Sequence, residues 1–358
     1  EALKQDQCKK LFVGLLRDLT GVFFGCQTKA QYEKVWDWIY PKYIEIIAKG
    51  AGLLYDCPAV TSPLLKLGIQ MATNRGGRLD FGCSSANGIL LFREISKIVV
   101  EYGGKIADVT PPKSARYSCK LKGIYLTLKM MVQALSGNYV NFAIFTLYGD
   151  PCLYNALEVC MKLTCEIQQE DLQSYPKLAE SYFNFLQYLC KNHLNYILAL
   201  DSQAFVRIVL FIREGLNHQN TSFPQCCAMV ESLASFYYNN RNKDTEMMKG
   251  LQRHLQSCPE MFSYFLQTLF QVLLFVPAAN HWTLSGALFA LILLNTTKYQ
   301  TFVEEIINSQ PVDRREDLLN AFAGILKDIN DNLQPTNRER FTRNLTIFKQ
   351  QTKNLIVL

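Results

Sequence analysis

The chain has 358 residues, 49% of them hydrophobic and 19% charged, with 22 Phe and 18 Tyr. That balance excludes a disordered polymer, and the length exceeds what one ordinary core organises, so two or three domains or an elongated repeat array is expected. The formal net charge of +6 is uneven: residues 1–122 hold 18 Lys+Arg and 11 Asp+Glu, whereas 123–358 hold 19 and 20, and so small an excess argues against direct nucleic-acid binding and for an acidic protein partner.

Apolar residues recur at helical spacing from the start. The first helix sets Leu11, Phe12, Leu15, Leu16, Leu19, Val22 and Phe23 on one face and ends near Gly25. The second begins about Lys29, with Tyr32, Val35, Trp36 and Ile39 inward; Pro41 interrupts it and Tyr43, Ile44, Ile47, Ala51 and Leu54 continue the face. The aromatic group Tyr32, Trp36, Trp38, Tyr40 and Tyr43 reads as core first and contact patch second. A third helix spans Pro58 to Asn74, and a glycine-rich loop from Arg75 to Arg78 leads to the clearest helix of the chain.

That helix follows Asn87-Gly88. Ile89, Leu90, Phe92, Ile95, Ile98, Val99 and Tyr102 form its apolar face, with Leu90 and Ile95 expected in the core. Arg93, Glu94, Lys97 and Glu101 lie between, and Gly103-Gly104 is expected to end it through a left-handed cap. A loop over 103–116 precedes a helix over 120–135, and 138–148 is an aromatic connector. Asp150-Pro151 signals a helix start. Further helices are expected over 176–191, 203–216, 224–239 and 245–255.

Met261–Val276 and Leu284–Leu294 are the most apolar stretches, separated by Pro277. They read as a buried helical hairpin, since neither uninterrupted run approaches the roughly 18 residues of a membrane span. Asp313-x-x-Glu316 and Thr336-x-x-Glu339 resemble capping boxes opening the last two helices. No stretch alternates with period two. Roughly fifteen or sixteen helices joined by short turns fit seven or eight units of about 40–47 residues, the HEAT and armadillo range. A globular helical bundle is the alternative on pattern alone.

Motifs for catalysis or cofactors do not emerge. The cluster Asn74-Arg-Gly-Gly-Arg78 lacks the lysine and strand of a phosphate loop. His193 follows Cys190 by three residues, but no second pair has zinc spacing; His218, His254 and His281 are isolated. The twelve cysteines are scattered in the manner of reduced thiols in helices, and the glycosylation patterns at Asn220, Asn295 and Asn344 read as chance. No cofactor, metal or catalytic residue is therefore expected.

The segment SSANGILLFREISKIVVEYG at 84–103 resembles the exportin-seven (Ran-binding protein) branch of the importin-β superfamily. Other blocks agree in the same order: LLRDLTG at 15–21, WIYPKY at 38–43, SPLLKL at 62–67, LKGIYLTL at 121–128, ALSGNYVNFAIFTLYGD at 134–150, YPKL at 175–178, NSQP at 308–311 and NRERFTRNLTIF at 337–348. Between about Asn217 and Arg253 little anchors the match. The resemblance implies an all-α HEAT-repeat solenoid, with 1–358 as a C-terminal repeat region of a longer receptor. It implies a nuclear export receptor that carries protein cargo with Ran-GTP, shuttles between nucleus and cytoplasm, and touches nuclear pore proteins. The repeats that grip Ran in this superfamily lie outside the resemblance, so autonomous Ran binding is not expected. A cytoplasmic HEAT scaffold without a Ran cycle is the alternative, and an enzyme on a helical framework is a distant third. Arg75, Arg78, Lys113, Arg116, Lys120 and Lys122, in or beside two loops flanking the clearest helix, are the candidate contacts for an acidic cargo face or for Ran.

Overall fold

The computed structural model describes residues 5–82, 85–217, 222–276, 280–353 and 355, and among these no strand occurs. The chain forms two compact units, 1–185 and 186–358. In the first, α1 (Asp6–Gly25), α4 (Pro58–Ala72) and α6 (Lys122–Ser136) pack in one row, while α3 (Lys42–Leu53), α5 (Asn87–Ile106) and α8 (Cys152–Cys165) pack in a second. α5 contacts both α4 and α6, and α3–α4 and α6–α8 contacts also join the two rows. α2 (Lys29–Ile39), α7 (Ala143–Leu147) and α9 (Gln169–Ser174) are shorter connecting helices, and α10 (Pro176–Asn192) follows them.

The second unit repeats the plan. After α11 (Leu194–Leu198), α12 (Ser202–Asn217) packs on α15 (Met261–Phe275), and α13 (Phe223–Asn240), α16 (His281–Leu294) and α19 (Pro335–Thr352) form a row. α14 (Glu246–Ser257), α17 (Thr296–Ser309) and α18 (Val312–Ile325) complete the nineteen α-helices of the described residues. Pairs stacking on pairs are the HEAT arrangement, in which each unit buries its apolar face only against its neighbours. The fold is an all-α HEAT-repeat array.

Local chemistry explains the boundaries. Thr28 caps α2 reciprocally with Gln31: Gln31 N–H donates to Thr28 Oγ1 at 3.4 Å and Thr28 N–H to Gln31 Oε1 at 3.1 Å. The Asp150-Pro151 signal does mark the start of α8, but the cap residue is Pro151, and Asp150 Oδ1, one residue before it, accepts from Cys152 N–H at 3.0 Å. α16 is buried without a break from Leu284 to Leu293, because α13, α15 and α19 all pack on it. A helix apolar all round needs such complete cover. No described helix is long and apolar enough to cross a membrane; Pro277, expected to divide the hairpin, lies outside the described residues.

Several expectations need correction. Leu91, not Leu90, is fully buried in α5, and Glu94 is buried too, with Lys97 Nζ at 2.6 Å from its carboxylate. α5 does not stop at Gly103-Gly104. It runs to Ile106, and Gly103 is buried against Val159 and Leu163 of α8, whose side chains fill the space a side chain at 103 would need. On α1 only Phe12, Leu16, Leu19 and Phe23 are buried; Leu11, Leu15 and Val22 are exposed. Asp313 and Thr336 sit inside the first turns of α18 and α19, whose caps are Pro311 and Gln334, so neither makes the expected box. The extra helices relative to the expected count are short ones such as α7, α9 and α11, which carry too few residues to show a period.

Candidate partner-binding surfaces

The six basic residues flanking α5 fall into two groups. In chain order the α4–α5 connection leads into the start of α5 and the α5–α6 connection leaves its end, so the two groups sit at opposite ends of this helix. For 20 helical residues that separation is about 30 Å. They do not form one patch.

In the first group Arg78 is fully buried. Its Nε donates to Thr73 O at 2.9 Å, Nη1 to Cys26 O at 3.0 Å and to Phe23 O, and Nη2 to Gln70 O at 2.5 Å. Those carbonyls belong to the last turns of α1 and α4 and to the residues just past them, where helical partners run out. One guanidinium thus closes two helix ends, with its Cζ 5.5 Å from the centroid of the Tyr32 ring. Burial pulls the Arg78 pKa down from its ordinary value, yet a guanidinium in this range keeps its charge. Arg75 is exposed, and its guanidinium lies 4.6 Å over the ring of Phe24, itself exposed.

The second group divides the same way. Lys120 is 5% exposed and donates to Ala107 O at 2.7 Å, Val109 O at 2.8 Å and Glu166 Oε2 at 2.9 Å. Arg116 donates to Glu166 O at 3.0 Å and pairs with Asp171 at 2.8 Å. Both fasten the α5–α6 connection to the end of α8 and to α9. Lys113 is exposed and Lys122 half-buried. Arg78 and Lys120 are therefore corrections: they are internal fasteners, not free surface charge. Little in the local sequence distinguishes them from Arg75 and Lys113, because part of each partner set lies far along the chain: Phe23 and Cys26 are 55 and 52 residues from Arg78, and Glu166 is 46 from Lys120.

A second feature has no signature in the sequence. Between α12 and α15 an apolar groove of about 260 Å³ is walled by Val206, Val209, Leu210, Met261 and Phe265. At its edge Arg213 lies 4.1 Å over the Tyr264 ring. An apolar cavity of roughly 150 Å³ accepts a benzene ring, so this groove has room for one aromatic side chain. Its two walls are separated by more than forty residues of chain, so helical periodicity cannot reveal it.

His254 and His281 both have structural partners. His254 is buried, stacks on Phe205 at 4.1 Å and places Nε2 3.1 Å from Leu198 O. His281 Nε2 lies 2.9 Å from Thr346 Oγ1. Burial lowers the pKa of both, and Lys349 adds to the effect at His281. His218 and Asn220 lie outside the described residues. Among the described residues no three His, Cys, Asp or Glu side chains come together to hold a metal ion.

No protein-family model matches the chain. It is 36% identical to Exportin-7-B of Xenopus laevis over 98% of its own length, covering 33% of that protein. It is 34% identical to Ran-binding protein 17 of Mus musculus over 97% of its length, and 33% identical to Ran-binding protein 16 of Drosophila melanogaster over 98%, again covering 33% of each. The chain thus spans about a third of the length of the curated relatives it matches. An all-helical HEAT array matched from end to end at these identities makes the chain homologous, over nearly its whole length, to one third of the exportin-7 and Ran-binding protein 16/17 group.

Proposed function

We propose that residues 1–358 are a C-terminal HEAT-repeat region of a longer nuclear export receptor, which carries protein cargo out of the nucleus together with Ran-GTP and shuttles between nucleus and cytoplasm. The observation that carries this is the 36% identity to Exportin-7-B over 98% of the chain. The role is that of a binding surface, not an enzyme. Helix pairs in a row expose loops and inter-helix grooves repeatedly, which suits contact with large protein partners. Arg75, Lys113 and Lys122 are the exposed or half-exposed basic residues available to an acidic cargo face or to Ran. Arg78, Arg116 and Lys120 support the loops that present them. The groove between α12 and α15 suits a single aromatic side chain, such as a phenylalanine from a nuclear pore protein.

Ran is expected to need more of the receptor than this region. A pull-down of Ran loaded with GTP or GDP should show GTP-dependent capture by the full-length receptor and little by residues 1–358 alone. Full-length receptor that ignores the nucleotide would contradict the export reading and favour a cytoplasmic scaffold without a Ran cycle. Tight GTP-dependent capture by 1–358 alone would place the Ran grip inside this region.

A further inference from the structure

One face of the first unit carries an unpaired row of lysines. A groove of about 360 Å³ crosses α4, α6 and the start of α10, with Thr20 of α1 at its edge. Each of the three crossed helices contributes one exposed lysine: Lys66, Lys129 and Lys177. None of the three forms an ion pair or donates a hydrogen bond among the described residues, although ion pairs elsewhere in the unit join residues as far apart as Arg93 and Asp150. Glu180 also lines the groove, one turn from Lys177, yet makes no ion pair with it. The groove therefore holds three uncompensated ammonium groups against one carboxylate. Gln70 lines it as well, and its Nε2 is buried with no hydrogen-bond partner. A buried amide donor left unpaired is uncommon and marks a place where an acceptor is missing.

We propose that this groove binds an extended acidic polypeptide segment, with carboxylates on Lys66, Lys129 and Lys177 and a backbone carbonyl on Gln70 Nε2. The spacing supports an extended chain. α4 and α6 pack together, packed helices lie about 8–10 Å apart, and an extended peptide rises about 3.3 Å per residue, so acidic residues three apart would reach from Lys66 to Lys129, with Lys177 further along the same groove. The half-buried Ile69 at the floor would take the aliphatic part of such a segment. Single-stranded nucleic acid is a poorer fit. It needs aromatic or arginine platforms for its bases; no arginine lines the groove, and its one ring, Tyr125, is 9% exposed.

The test uses the 358-residue chain and a labelled twelve-residue peptide of Gly-Ser-Glu repeats, read by fluorescence anisotropy at low salt. A Gly-Ser-Gln peptide and an oligothymidylate of the same charge are the comparisons. The variants are K66Q/K129Q/K177Q and a control with the same charge change elsewhere on the surface, K10Q/K34Q/K353Q. The glutamate peptide should bind, the glutamine peptide should not, and the groove variant should weaken binding about tenfold, as expected for the loss of three exposed ion pairs. The control should bind like the parent, and binding should fall as salt rises. All six lysines are exposed, so circular dichroism should show every variant folded. Absent binding of the glutamate peptide, an equal loss in the control, or tighter binding of oligothymidylate would each overturn the proposal. The readout involves neither Ran nor export, so its failure leaves the export reading standing.

Discussion

Replacing Arg78 with alanine should destabilise the first unit severely, whereas the same change at Arg75, three residues away, should hardly register. Arg78 is fully buried and serves four carbonyls. The bonds to Phe23 O and Cys26 O are themselves buried, so water cannot replace them after truncation. Each buried acceptor left without a partner costs about 1–3 kcal/mol, and lost contact with Tyr32 adds to this. The sum is about 3–5 kcal/mol. For a unit of this size each kcal/mol moves the melting temperature by roughly 2–4 °C, which predicts a drop on the order of 10 °C. Arg75 contributes an exposed cation–π contact worth about 0.5–1 kcal/mol, or about 2 °C. Arg78→Lys should fall between, because an ammonium has three donors and lacks the planar fork. Thermal unfolding followed by circular dichroism at 222 nm measures all three. Equal, small shifts for Arg78→Ala and Arg75→Ala would refute the view that Arg78 closes the ends of α1 and α4.

Adjacent glycines in α5 should respond with opposite sign. Gly103→Ala places a methyl 2.5 Å from Val159 Cγ1 and should cost about 1–3 kcal/mol, while Gly104→Ala meets nothing within 4 Å and should gain up to about 1 kcal/mol; urea midpoints would show the split, and a loss at both would favour a helix ending there. Leu91→Ala should cost about 2–5 kcal/mol and Leu90→Ala clearly less, by the same measurement. Lys97→Ala should be more than neutral, at about 1 kcal/mol, because it strips the partner from the buried Glu94. Burial holds the His254 imidazole below its ordinary pKa, so below about pH 6.5 the unfolded chain takes up a proton that the folded one refuses. Stability should therefore fall from pH 7.5 to 5.5, and His254→Gln should reduce that fall; an unchanged fall would remove His254 as a contributor.

Fold class was legible because helices are local. A 3.6-residue period and the Asp150-Pro151 start signal both lie within one or two turns of chain. Face assignment was legible only to within a residue. Leu90 and Leu91 are both apolar and adjacent, and only packing from two neighbouring rows selects Leu91. Gly103 carried a misleading signal: glycine ends many helices, but it also admits a close neighbour, and α8 decides between the two.

Charge was the least legible property. Arg75 and Arg78 are the same residue type in one short loop. One lies on an exposed ring, and the other is drawn inside by carbonyls of α1 some fifty residues upstream. The lysines of the α4, α6 and α10 groove are scattered over more than a hundred residues and become one row only when those helices stack. The sequence by itself determined the helices and their approximate inward faces, because backbone hydrogen bonds and apolar period act within a few residues. Tertiary structure alone decided which cations are buried and which are shared as a surface, because electrostatic partners are chosen by distance in space rather than along the chain.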